Sequence, residues 1–155
     1  MTLFKQLNGF IAALALGLSA LVQAGHNVEV DKHGVILAGH DAVAYFTEGK
    51  PVLGSPDFTA THNGATYRFS SAENRDVFAA DPERYAPQYG GFCAYGLTFG
   101  KKFEVDGKAF EIVDGKLYVN KNRKVYKKWA KDISGNISTA DEKWPVIEHT
   151  PAKDL

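Results

Sequence analysis

The sequence predicts a small α+β domain in which an antiparallel hairpin and meander sheet packs with helices. Three observations predict it. Asn63-Gly64 sits between two runs rich in Thr, Phe and Tyr, residues 58–62 and 65–69. Asn-Gly tolerates the positive φ angles of a type I′ turn, so the segment reads as a β-hairpin. Asp-Gly pairs at 106–107 and 114–115 mark two further tight turns, which makes 103–120 a small meander. Val125 and Trp129, four apart with Tyr126 beside them, give the helical spacing that completes the class.

The chain opens on a segment read as a leader rather than as part of the domain. Lys5 supplies a positive charge ahead of an uncharged run over 10–22. That run falls within the roughly 7–15 residues of a signal-peptide core and short of the ~20 a spanning helix needs. Val22-Gln23-Ala24 offers small side chains to a signal peptidase, so cleavage is expected after Ala24. The expected location is periplasmic or secreted, with no membrane span after cleavage. About 130 residues then remain, enough for one domain with a core of its own.

Within that domain the elements follow in order. Residues 25–39 are short and mixed, with strand-like Val28-Glu29-Val30 and apolar Val35-Ile36-Leu37. Residues 40–46 form an apolar stretch opened by His40 and Asp41, and two Gly and two Pro make 47–56 a loop. After the hairpin, Ser70-Ser71-Ala72-Glu73 reads as a capping box that starts a helix with Val77 and Phe78 inward. Asp81-Pro82 stops it and opens a short turn, with Asp81 as N-cap and Pro82 first in the helix. The chain then turns through Gly90-Gly91 into 92–97, read as a helix. In the meander, Phe110, Ile112, Leu117 and Val119 are available to the core. A helix is expected over 122–131, interrupted near Ser134-Gly135, with a second piece running to about Trp144 and ended by Pro145.

Charge and motifs exclude several functions. The chain carries 18 Lys and Arg against 18 Asp and Glu, and removal of the leader takes Lys5 alone. No field of one sign remains to attract nucleic acid or an anionic membrane. The lysines at 121, 124, 127, 128 and 131 read as the solvated face of a surface helix. A protein partner is not specified by any motif. Cys93 is the single cysteine, so no internal disulfide forms.

Several stretches in combination resemble the YHS domain family. They are 41–46 (Asp-Ala-Val-Ala-Tyr-Phe), 64–75 (Gly-Ala-Thr-Tyr-Arg-Phe-Ser-Ser-Ala-Glu-Asn-Arg), Phe78, and 81–85 (Asp-Pro-Glu-Arg-Tyr). The chain is most similar to an exported branch that continues as in 87–95 and ends as in 117–120, 127–129 and 144–145. The resemblance implies a hairpin packed on the helix that follows it. It divides the chain into a signal peptide (1–24), an N-terminal segment (25–39), a YHS-type domain with a C-terminal extension (40–145) and a tail (146–155). Metal-binding members of the family carry cysteines where this chain has Ala44, Ser70 and Asn74, so that ligand set does not carry over.

A metal site would therefore be built from other residues. Cys93, with His40 or His62 approaching from separate segments, is the expected set, and a thiolate with one or two imidazoles suits copper(I). His26, His33 and His149 are lesser candidates near the ends. No pair of histidines has helical zinc spacing, and no Cys-x-x-Cys or His-Glu-x-x-His is present. The expectation is a binding or metal-handling protein, for copper, through Cys93. Two alternatives stay open. Cys93 is a redox or nucleophilic thiol, activated by N–H groups at a helix start behind the two glycines. Otherwise it is an inert, buried side chain of a structural or partner-binding module. Asp41 and Tyr89 are the polar residues to follow next, with hydrogen bonds to loop backbone as their simplest role.

Overall fold

Asn63 and Gly64 take φ angles of 49° and 79°, and the chain reverses there. A computed structural model of the protein describes residues 26–155, so the expected leader lies outside the described residues. The turn joins β1 (Ser55–His62) to β2 (Ala65–Phe69), antiparallel, with Ala60 opposite Tyr67 and His62 opposite Ala65. Along β2 the alternation is strict: Ala65, Tyr67 and Phe69 are buried and the residues between them half-buried. A short helix α1 (Ala44–Thr47) precedes the hairpin, and α2 (Ala72–Ala80) and α3 (Pro82–Tyr85) follow it. Phe78 of α2 is fully buried, its ring 4.4 Å from Tyr67 and 5.1 Å from Phe69. This hairpin-on-helix unit forms one core with Leu37, Tyr45, Leu117 and Val119.

The second half builds a second core. Helix α4 (Ala94–Thr98) follows Cys93; β3 (Phe110–Val113) and β4 (Lys116–Val119) form a separate two-stranded sheet; α5 (Arg123–Trp129) and α6 (Ile133–Ile147) complete the chain. Trp129 is fully buried among Leu97, Tyr118 and Ala140. No helix among the described residues is long and apolar enough to cross a membrane.

The α+β class and the first hairpin are as the sequence predicts, and four local expectations are corrected. The cap of α2 is Ser71, whose Oγ accepts the amide of Asn74 at 3.1 Å, because Ser70 is engaged elsewhere. Val77 is 38% exposed, outside the face that Phe78 buries. The meander reduces to the single β3–β4 hairpin, since Asp106 Oδ1 folds 106–109 into a loop by accepting the amides of Lys108 and Ala109. Helix α6 runs through Pro145 and starts at Ile133, with Asp132 capping Gly135. Pro145 has no N–H to give to the helix ladder, and the amide of Glu148 closes the last turn on Trp144.

The loop before α4 ties the ends of the domain together. Tyr89, Gly90 and Gly91 all take left-handed φ angles, of 55°, 60° and 85°. Gly90 has to be glycine, because a Cβ there would lie 1.8 Å from the carbonyl oxygen of Asn27. Its own carbonyl accepts the Glu29 amide at 2.8 Å.

The Glu29 side chain beside this contact is half-buried. Burial, then the charges of Glu104 and Asp31, push its carboxyl up to about 7 from an ordinary 4.5. Between those values the folded chain keeps a proton that the unfolded chain has released. Stability is therefore highest on the acid side and falls as pH rises through that window. Glu29→Gln is expected to flatten this dependence, read as urea midpoints across the window; equal slopes in the two proteins would contradict it.

Candidate functional site

Asp41 is fully buried and every acceptor position on its carboxylate is used. Oδ1 takes the amides of Val43 at 2.9 Å and Ala44 at 3.1 Å. Oδ2 takes the Ser70 amide, the Ser70 hydroxyl and the Asn74 side-chain amide, each at 2.8 Å. One carboxylate thus pins the start of α1 to the end of β2 and to α2. It does so at Ala44, Ser70 and Asn74, the three positions read from sequence as departures from the metal-binding pattern.

Residues 43–89, which span α1, both strands of the first hairpin, α2 and α3, match the family model of the YHS domain. That segment, less than half of the chain, is similar to a YHS domain. The family is linked to metal binding in general. No curated protein and no solved structure matches the chain at a significant level. The residues present do not fit a resident metal at that place: a carboxylate, a hydroxyl and an amide bond to one another, with no thiolate or imidazole. Among the described residues no three His, Cys, Asp or Glu side chains group to hold a metal ion.

Cys93 lies just beyond the matched segment of the YHS domain, at the N-cap of α4. It is 1% exposed, yet it forms the floor of a cleft of about 210 Å³ with Gly96, Tyr95, Phe99, Phe103, Lys121 and Val125. Phe99 and Phe103 are exposed by 61% and 42%, which is unusual for aromatic rings and marks the rim of the cleft as available. Lys121 holds its ammonium 5.3 Å from the centre of the Phe103 ring.

Behind the sulfur stands Asn120, fully buried. Its Oδ1 accepts the Tyr95 amide at 3.0 Å and lies 3.6 Å from Cys93 Sγ, taking the thiol proton. Its Nδ2 is buried and has no partner among the described residues. The Lys121 amide donates to Sγ at 3.2 Å. Burial pushes the thiol up, and the amides of Gly96, Lys121 and Tyr95 with the Lys121 charge pull it back only in part. The alternative of a thiol lowered by a helix start gains no support from this arrangement: removal from water outweighs the N–H groups.

The structure places the three candidate ligands apart. His40 is buried, its Nδ1 3.0 Å from the Leu37 carbonyl. It is packed so closely against Gly107 that a Cβ there would lie 2.3 Å from the ring nitrogen. His62 sits at the end of β1 with Nε2 3.0 Å from Glu83 Oε1, in a different cleft. Neither histidine lines the cleft over Cys93. Asn120 and Lys121 are the residues that sequence reasoning missed. Lys121 was absorbed into a lysine-rich surface, and a buried Asn has no sequence signature.

Proposed function

We propose that this chain is an exported binding protein whose ligand occupies the cleft over Cys93. The ligand has an apolar body, packed between Phe99, Phe103 and Val125, and an acidic group that meets Lys121. The apolar lining with a single cation at its edge is the observation that carries this reading. A volume of about 210 Å³ suits a small molecule and is below the ~300 Å³ at which cofactor-sized pockets begin.

Titration with octanoate tests it on the cleaved protein. Wild type is expected to bind saturably, with affinity about tenfold lower in Lys121→Gln, the loss of one charge-assisted hydrogen bond. Phe103→Ser is expected to weaken binding as well, and both side chains are exposed, so the fold stays intact. Equal affinity across the three proteins would refute the cleft as the site.

A second reading rests on the amides around Sγ. They lower the cost of a thiolate, and copper(I) bound to Cys93 with a donor from outside the chain would use them. Anaerobic copper(I) titration beside Cys93→Ala separates the readings, since stoichiometric copper lost in the variant belongs to the second. The redox or nucleophile alternative needs a standing thiolate, which burial opposes.

A further inference from the structure

A second cleft, sharing no residue with the first, opens beside the end of the β1–β2 hairpin. It measures about 220 Å³ and its walls include His62, Tyr67, Glu83, Tyr89, Trp144 and Glu148. Tyr67 is the informative residue. It is 2% exposed, its ring is packed in the core against Phe78, it lines the cleft, and its hydroxyl makes no hydrogen bond among the described residues. Burial and then the charge of Glu83 hold this phenol above its ordinary range, so it stays protonated. A hydroxyl without a protein partner on a residue that lines a cleft is free to bond a ligand.

The surroundings define the chemistry of that ligand. Glu83 and Glu148 line the cleft; Lys102 does not line it but holds its ammonium 5.3 Å from the Trp144 ring centre, so a cation is favoured at the Glu83 end. His62 Nε2 lies 3.0 Å from Glu83 Oε1 without the alignment of a hydrogen bond, leaving the carboxylate with acceptor capacity. A bare metal ion lacks a third His, Cys, Asp or Glu donor within reach. Tyr89 and Trp144 add aromatic wall, their ring centres 6.2 Å apart. Tyr89 takes a left-handed backbone conformation there, and its hydroxyl donates to Asp141 at 2.8 Å. Such backbone conformations are costly and gather at binding sites.

We propose that this cleft binds a small organic ammonium ion, its N–H donors shared between Glu83 and the Tyr67 hydroxyl and its apolar body lying against Tyr89 and Trp144. The Glu83 carboxylate favours such a cation over a neutral molecule of the same shape.

Benzylamine and its neutral isostere benzyl alcohol test this on the whole protein by calorimetric titration at neutral pH. Benzylamine is expected to bind saturably and benzyl alcohol at least about tenfold more weakly. Glu83→Gln, a surface change, is expected to reduce benzylamine affinity about tenfold, and Tyr67→Phe, which keeps the core ring, to reduce it as well. Equal binding of the two probes, no binding of benzylamine, or binding unchanged in Glu83→Gln would each overturn the proposal. So would saturable zinc binding that depends on Glu83 while benzylamine fails to bind. None of these results bears on the cleft over Cys93.

Discussion

Asp41→Ala is expected to destabilise the protein by about 3–5 kcal/mol, the cost of removing one side of a buried, fully bonded charge. The substitution leaves the amides of Val43, Ala44 and Ser70, the Ser70 hydroxyl and the Asn74 amide without their common acceptor. Against a total stability of roughly 5–15 kcal/mol, that is a large share. Thermal unfolding followed by circular dichroism should show a midpoint lower by roughly 10–20 °C. Asp41→Asn should recover little, because its NH₂ group faces donors that an oxygen previously met. A midpoint within a few degrees of wild type in Asp41→Ala would mean that the network is incidental. Ala44, Ser70 and Asn74 would then be held in place by something else.

Lys102→Met carries the second large effect, with a different signature. Lys102 is 6% exposed, and its ammonium donates to the carbonyls of His26, Glu148 and Thr150, the last two at 2.8 Å. It also sits 5.1 Å and 5.3 Å from the ring centres of Phe92 and Trp144. One cation therefore clasps His26 to the segment at the end of α6. Methionine keeps the apolar stem and removes the charge, leaving three carbonyls unpaired. The expected loss is roughly 2–4 kcal/mol, less than the sum of three bonds because the ammonium no longer has to be dehydrated. Hydrogen exchange should rise most at 26–30 and 147–155, ahead of the hairpin core. Uniform acceleration across the domain, or none, would refute the clasp.

What the sequence made legible was local. The Asn63-Gly64 turn, the α5 helix and the Pro82 start each depend on residues a few positions apart, and each stands where expected. Errors arose where a distant residue decided a local choice. Ser70 looked like a cap, but Asp41, 29 positions earlier, claims both its amide and its hydroxyl, so the cap moves to Ser71. Pro145 looked like a stop, but the packing of Trp144 and Ile147 on the second core carries α6 past it. At the candidate site Cys93 was conspicuous because it is alone. Its partners Asn120 and Lys121 lie 27 and 28 positions away, beyond any spacing rule. His40 and His62 were named for their chemistry, and only the fold shows that each faces a different neighbourhood.

The central claim is that the cleft over Cys93 takes a small apolar acid, and the rate of Cys93 alkylation tests it most directly. Iodoacetamide would be added near pH 8.5, the ordinary value for a cysteine thiol, with and without saturating octanoate, and the product followed by intact mass. The account predicts a rate well below that of the unfolded chain, because the thiol is buried and raised, and a further severalfold fall when octanoate fills the cleft. A rate unaffected by octanoate would contradict it.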